Sequence, residues 1–195
     1  GSIRHPSAMC GVTGLKPTWS RVSGHGVMPL STSLDCVGPL AISAKDCARI
    51  LTVIAGHDEL DPQSSKVPVI DYESVLGQSI KGMKIAVPGG YYLEHLDAQV
   101  SAALKEALGV LQDLGAQVIH TQPSEMDTIN RMMFIVMTVE AATHHQQWIE
   151  SRPQDYSEQV LARIKPGFDF SGIEYHQALR SRFKWTQHWL RETMQ

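Results

Sequence analysis

The sequence predicts an α/β protein, and three features of the 195-residue chain support this class. A short apolar segment, Lys84–Pro88, precedes a helical segment that Asp97 can cap, and a second apolar segment follows at 117–120. A strand, a helix and a strand within about 35 residues are typical of a crossover between parallel strands. The chain before Pro39 is rich in glycine and proline, and the chain beyond Pro123 has helical periodicity.

The composition of the chain excludes several classes of protein. An apolar fraction of 43% and a charged fraction of 19% are values of a globular domain rather than of a disordered chain. The 17 basic and 20 acidic residues give a net charge of −3, which provides no basic surface for nucleic acid. The longest apolar run, Met132–Met137, is far shorter than the roughly 18 residues that span a bilayer. We therefore expect neither a nucleic-acid partner nor a membrane partner.

The cysteines indicate the compartment. Three cysteines without Cys-x-x-Cys spacing fit neither a disulfide framework nor a zinc site. A reducing, cytoplasmic location is therefore expected. Cys10 is predicted to be a small buried side chain rather than a nucleophile.

Residues 1–82 are predicted to hold short elements and loops. Ser43 can cap a helix in which Asp46 is the acidic residue of the first turn, and residues 57–82 carry two prolines and are predicted to be a surface loop. The helix is expected to bury one face, made of Cys47, Ala48, Leu51, Ile54 and Ala55.

Residues 83–195 are predicted to hold the strand–helix–strand unit, at 83–122, and then a helical region, at 123–195. One helix is expected at 125–150, another after Pro153 and a third beyond it. The helix between the two strands is expected to end at Gly115 and to have an apolar face made of Val100, Leu104, Ala107, Leu111 and Leu114. The last helix is expected to have an apolar face made of Tyr175, Leu179, Phe183 and Leu190.

Motifs of nucleotide-binding proteins and zinc proteases are absent from the sequence. The remaining indication of chemistry is the beginning of the chain. Residues 1–18 read GSIRHPSAMCGVTGLKPT, and residues 33–39 read SLDCVGP. These segments resemble the amidase signature family, whose core reads Gly-Gly-Ser-Ile-Arg-x-Pro-x-x-x-Cys-Gly-x-x-Gly-Leu-Lys-Pro-Thr and continues with Ser-x-Asp-x-x-Gly-Pro. The match keeps its order and register from residue 1 to residue 39.

The resemblance implies an amide hydrolase with a mixed β-sheet flanked by helices on both sides. Ser2 corresponds to the nucleophile of a Ser, cis-Ser, Lys triad, in which a neutral lysine relays a proton through the second serine. Backbone N–H groups of Gly1 and Ser2 would stabilise the oxyanion that forms on the carbonyl oxygen. The substrate is expected to be a small or medium carboxamide, with no cofactor and no metal.

In this family the lysine and the cis-serine precede the nucleophile, so both are expected upstream of Gly1, and the last strand is expected beyond Gln195. Residues 1–195 are therefore predicted to be a single interior fragment of the domain, with residues 1–56 as its core signature region, and to be inactive by themselves. Lys16 lies in the Gly-Leu-Lys-Pro-Thr segment and is not assigned as the base. Two questions stay open: whether Gly1-Ser2 is a cloning remnant, and whether the fragment arose by proteolysis or truncation.

Five other side chains are candidates for supporting the site. Arg4 is expected to hold the catalytic loop through its guanidinium, and Asp35 to accept backbone hydrogen bonds in a turn. Met133, Met137 and His144 are candidates for lining the substrate pocket, with core packing as the favoured alternative.

Two other functions stay open. One is the A subunit of a glutamine-dependent tRNA amidotransferase, although that family carries a Ser-Asn-Leu-Ala-Arg-type segment where residues 148–156 read WIESRPQDY. The other is a non-catalytic, truncated binding module. The expected partner is a small-molecule amide, and exposed apolar surface would favour a homo-oligomer.

Overall fold

The α/β class is confirmed by the computed structural model, which describes residues 1–194. The helices are α1 (Arg4–Cys10), α2 (Ala44–Ile54), α3 (Ala98–Asp113), α4 (Met126–Ser151), α5 (Glu158–Ile164) and α6 (Gly172–Thr193), and the strands are β1 (Thr13–Gly14), β2 (Leu40–Ala41), β3 (Lys84–Pro88) and β4 (Gln117–Thr121). Among these helices, none combines the length and the apolar character needed to cross a bilayer.

The strands form two small sheets. Strands β1 and β2 are antiparallel, with Thr13 opposite Ala41. Strands β3 and β4 are parallel, with Lys84 opposite Gln117 and Pro88 opposite Thr121. Since α3 lies between β3 and β4 in the chain, the predicted strand–helix–strand unit is confirmed.

The chain divides into two compact units. The first consists of Gly1–Gly77 and Glu140–Ser157, and the second of Gln78–Val139 and the chain from Glu158 onward. Helix α4 therefore contributes its N-terminal part to the second unit and its C-terminal part to the first.

The cap predicted for α2 is present in the first unit. The Oγ atom of Ser43 accepts a hydrogen bond from the backbone N–H of Asp46 at 3.1 Å, and this satisfies one of the free N–H groups at the helix start. Cys47 and Leu51 are buried as expected, but Ile54 is exposed. Of the three cysteines, all free, Cys10 is also exposed, so the expectation that it is buried is wrong.

The loop predicted at 57–82 contains one short 3-10 helix, Tyr72–Val75. Arg21 anchors this loop: its guanidinium donates to the carbonyl oxygens of Val67 at 2.6 Å and Pro68 at 2.9 Å, and to the Tyr72 hydroxyl at 2.6 Å. A planar guanidinium that donates to several acceptors can hold irregular backbone that has no helical or inter-strand hydrogen bonds of its own.

In the second unit, the caps of α3 are as predicted but its burial is not. Asp97 accepts a hydrogen bond from the backbone N–H of Gln99 at 2.8 Å, and Gly115 follows the helix with a φ of +92°. Within the described chain, however, none of the residues of α3 is buried, and Val100 is 54% exposed. A sheet of two strands is too narrow to cover the whole stripe. An open cleft of about 330 Å³ remains between α3 and the two strands, and its apolar lining consists of Val87, Leu93, Leu96, Leu104, Leu108 and Val118.

Helix α6 also packs through a different face from the one predicted. Ser171 and Glu174 form a reciprocal capping box at its start. Ala178 is buried on the packed side, and the Trp189 ring lies 5.6 Å from that of Tyr92, whereas Phe183 is 73% exposed. The expectation of a buried Phe183 is wrong because the helix docks through a smaller residue.

Candidate functional site

Ser2 is exposed in the turn that leads into α1. The carbonyl oxygen of Gly1 accepts a hydrogen bond from the His5 N–H at 2.8 Å, so the turn continues directly into the helix. The next residue, Ile3, is buried, and its carbonyl oxygen accepts from the N–H of Ser7 at 3.2 Å and from its hydroxyl at 2.8 Å. The backbone that carries Ser2 is thus fixed at the following residue.

Two glycines of the signature permit the close packing of α1. A Cβ atom at Gly14 would overlap the hydroxyl of Ser7 and would lie 3.2 Å from the carbonyl oxygen of Ile3. A Cβ atom at Gly38 would overlap the carbonyl oxygen of Leu15 and would lie 2.9 Å from Cδ1 of Ile3. The segment that carries Ser2 therefore depends on glycine at two distant positions, because a side chain there would block the approach.

Lys16 joins the two signature segments. Its Nζ atom donates to the carbonyl oxygen of Pro17 at 2.7 Å and lies 3.5 Å from the Sγ atom of Cys36. Beside it, the N–H of Leu15 donates to the carbonyl oxygen of Pro39 at 3.0 Å. These contacts give Lys16 a structural role and supply no reason to assign it as the base.

Asp35 makes the backbone contacts that the sequence predicts for it. Its Oδ2 atom accepts from the N–H groups of Leu30 at 2.8 Å and Ser31 at 2.9 Å. Arg4 is exposed, and within residues 1–194 its guanidinium has no hydrogen-bond partner by the usual distance limits. The catalytic-loop role of Arg4 and the site-supporting role of Asp35 stay predictions.

Glu140, which the sequence analysis missed, holds the segment before Asp35. Its side chain is buried in α4, where the residue is 7% exposed. One carboxylate oxygen accepts from the Ser31 hydroxyl at 2.6 Å and from the Ser33 N–H at 3.1 Å, and the other accepts from the Ser33 hydroxyl at 2.7 Å. The signal in the sequence was an acidic residue within an apolar helical stretch, since such a residue is rarely buried unless it is paired.

His145 holds the same segment at Pro29. Its Nε2 atom lies 3.2 Å from the Pro29 carbonyl oxygen, and its Nδ1 atom lies 2.7 Å from the Tyr156 hydroxyl. A carbonyl can only accept, so Nε2 carries the proton, and in the neutral ring Nδ1 accepts from Tyr156. Of the adjacent pair, His145 is buried and His144 is half-buried, a difference that sequence alone could not provide.

The proposed pocket residues Met133, Met137 and His144 are all half-buried on α4. Their spacing of four and seven residues places them on one side of the helix. None of them lines the cleft beside α3. Their substrate-binding role stays a prediction, and residues 1–194 contain no cluster of metal-ligating side chains.

Hydrogen bonding lowers the pKa of Asp58, in the loop that follows α2. The main cause is the hydroxyl of Ser23, which donates to Oδ2 at 2.7 Å, and the second is the N–H of Leu60, which donates to Oδ1 at 2.9 Å. Both donors favour the ionised carboxylate, which fixes the loop geometry.

Comparison with known proteins gives consistent matches. The family model described as amidase matches residues 1–191. An amidase of Pseudomonas putida is 37% identical over 183 residues, which are 93% of this chain and 39% of that protein. The A subunit of the glutamyl-tRNA(Gln) amidotransferase of Geobacter metallireducens is 41% identical over 144 residues, 74% of this chain and 30% of that protein.

Solved structures with the same fold were found as well. One of them is a chain of a complex that is described as a vestigial protein complex revealing the evolutionary origins of an s-triazine catabolic enzyme. It superposes with a TM-score of 0.87 at 30% identity. The match covers 99% of this chain and 42% of that one. The A subunit of the glutamyl-tRNA(Gln) amidotransferase of Thermotoga maritima gives a TM-score of 0.77 at 30% identity, covering 96% of this chain and 41% of that one. The chain thus spans about two fifths of the length of these structures.

Proposed function

The chain belongs to the amidase signature family, and from this membership we propose that the full-length protein hydrolyses a carboxamide to a carboxylate and ammonia or an amine. The observation that carries the proposal is the position of Ser2 in the turn that leads into α1, where the next residue, Ile3, is buried. A backbone fixed in this way suits a nucleophile, because the attacking atom must be held close to the carbonyl carbon.

The proposed reaction begins when the Oγ atom of Ser2 attacks the amide carbonyl carbon. The hydroxyl proton passes through a second serine to a neutral lysine, and the amine leaves with a proton as the acyl-enzyme forms. Water then hydrolyses the ester and releases the carboxylate. We propose that the chain preceding Gly1 in the full-length protein supplies the lysine and the second serine, so that residues 1–195 alone are inactive.

Stabilisation of the oxyanion is proposed for the backbone N–H groups of Gly1 and Ser2. Donors of this type contribute about 3 kcal/mol each in well-studied acyl-transfer sites. Met133, Met137 and His144 are proposed to line the acyl pocket. Cytoplasmic location and self-association into a homo-oligomer belong to the same proposal.

The second candidate is the A subunit of a glutamine-dependent tRNA amidotransferase. It is favoured by the 41% identity to such a protein over 144 residues. One observation favours the amidase: residues 148–156 lack the expected Ser-Asn-Leu-Ala-Arg-type segment. The comparisons described above do not favour a non-catalytic module.

Ammonia release separates the two candidates. The purified full-length protein, without other subunits, is incubated with a panel of carboxamides from acetamide to aryl amides and with glutamine. An amidase is expected to release ammonia from at least one simple carboxamide, and Ser2→Ala is expected to abolish the release. Activity that is limited to glutamine and needs added partner subunits and glutamyl-tRNA would instead establish the amidotransferase.

A further inference from the structure

We propose that Glu140 is a positioning residue for the nucleophile, acting through the segment at 29–38, and this inference rests on the proposed amide hydrolysis at Ser2. Glu140 and this segment belong to the same compact unit. The residues that join them are far apart in sequence, since Ser31 and Glu140 are separated by 109 positions. The contact is therefore a specific tertiary one.

The first step is the way in which Glu140 fixes the segment. The chain at 29–38 has no helix or strand, Leu30 is exposed, and no apolar side chain of this segment is buried, so little apolar burial holds it. Against this background, the two hydroxyl groups and one N–H that bind the carboxylate are strong local anchors. Hydrogen bonds to a carboxylate are shorter and stronger than those between neutral groups.

The second step leads from the anchored segment to Ser2. Asp35 closes the turn on the N–H of Ser31, and Cys36, the next residue, lies against Nζ of Lys16. Gly38 then lies against Cδ1 of Ile3, the residue that follows Ser2. Every link is a direct contact, so a shift of the anchored turn would be transmitted to the turn that presents the hydroxyl.

The third step concerns why a carboxylate occupies this position. Its neighbours in α4 include the buried residues Val136 and Ala141, and an apolar side chain would avoid the cost of removing a charge from water. Replacing a buried charged group by a well-packed apolar one often leaves stability unchanged or raises it. A carboxylate here is better explained by the need to hold Ser31 and Ser33 in one arrangement than by stability alone.

The test uses variants of the full-length protein in the ammonia assay, with kcat and KM measured separately at a temperature where circular dichroism shows each variant to be folded. Glu140→Ala removes all the anchors, and we expect kcat to fall by about tenfold or more with KM changed by less than about threefold. Glu140→Gln is expected to retain kcat within about threefold, because its amide can accept at one oxygen position and donate to the hydroxyl of Ser33 at the other. Glu150→Ala is the matched control, since Glu150 is exposed on the same helix and binds Gln146.

A double-mutant cycle tests whether Glu140 acts through the two serines. We expect Ser31→Ala/Ser33→Ala to lower kcat substantially, and the addition of Glu140→Ala to this variant to lower it by less than about threefold. If Glu140→Ala cannot be obtained folded, the positioning role is tested by comparing kcat of Glu140→Gln with kcat of Ser33→Ala. Ser33→Ala is then expected to lower kcat by about threefold or more, beyond the loss in Glu140→Gln.

Three results would overturn the inference: an unchanged kcat in folded Glu140→Ala, an equal loss in Glu140→Gln and Glu140→Ala, or an unchanged kcat in Ser33→Ala. Ser2→Ala in the same assay separates this failure from failure of the proposed function. If Ser2→Ala retains wild-type hydrolysis, the proposed function is wrong, whereas an inactive Ser2→Ala beside a fully active Glu140→Ala rejects the positioning role alone.

Discussion

The Cδ1 atom of Ile3 lies so close to Gly38 that a Cβ atom there would come within 2.9 Å of it. Ile3 is buried and follows Ser2, so this contact connects the second signature segment to the turn that carries the proposed nucleophile. The carbonyl oxygen of Leu15 lies on the same side of Gly38 and belongs to backbone that cannot move cheaply. The glycine is therefore needed for packing and not for a special backbone angle.

Gly38→Ala is expected to destabilise the protein by about 1–3 kcal/mol, the usual cost of adding a methyl group to a closely packed site. Urea unfolding of the full-length protein measures the change. Gly24→Ala is the control: a Cβ atom there would meet Oδ2 of Asp61 at 3.8 Å, an ordinary contact. Equal free energies of unfolding for the Gly38 variant and the wild type would show that the Ile3 contact is not tight.

Gly109→Ala is expected to stabilise the protein by about 0.5–1 kcal/mol. Gly109 lies within α3, a Cβ atom there would have no neighbour within 4 Å, and alanine has the higher helix propensity. The measurement is the urea midpoint at constant m-value. A lower midpoint would mean that α3 is packed at this position in the full-length protein.

Ser171→Ala is expected to cost about 1 kcal/mol through loss of the cap of α6. The Oγ atom of Ser171 accepts from the Glu174 N–H at 3.2 Å, and its own N–H donates to the Glu174 carboxylate at 2.9 Å. Ser171→Thr, which keeps the hydroxyl that caps the helix and donates to the Glu174 carboxylate at 2.9 Å, is the matched control and should stay close to the wild type in thermal midpoint. A loss of equal size in both variants would argue against capping as the cause.

The lowered pKa of Glu192 predicts that the stability of the protein depends on pH. The N–H and hydroxyl of Ser124 donate to its carboxylate and hold its pKa below the ordinary value of 4.5. Because the pKa is lowered on folding, the ionised group stabilises the protein above pH 4.5, and this contribution is lost as pH falls through the folded pKa. Glu192→Gln is therefore expected to melt below the wild type at pH 7 and to approach it toward pH 3. A difference that stays constant over this range would refute the linkage.

Local features of the fold could be predicted from the sequence. The cap of α2 at Ser43, the strand Lys84–Pro88 and the end of α3 at Gly115 all depend on residues near one another in the chain. The signature glycines were recognised from the resemblance to the family motif, although the physical reason for them, the contacts with Ser7 and Ile3, required the structure.

Features that depend on distant partners could not be predicted. The periodicity of α6 favours a face with Phe183, but the choice between faces is made by what lies opposite, and there Ala178 is buried. Glu140 and Ser33 are separated by 107 positions, and no spacing rule connects them. The apolar residues around Glu140 in the sequence could suggest that its carboxylate is buried, but they could not identify Ser31 and Ser33 as its partners.

Covalent labelling of Ser2 tests the proposed nucleophile most directly. The full-length protein is treated with a fluorophosphonate, which transfers its phosphonyl group to an activated serine hydroxyl with loss of fluoride, and the labelled peptide is identified by mass spectrometry. We expect the label on Ser2, in proportion to the loss of amide hydrolysis, and no label in Ser2→Ala. Label on another residue, together with wild-type hydrolysis by Ser2→Ala, would contradict the assignment of Ser2 as the nucleophile.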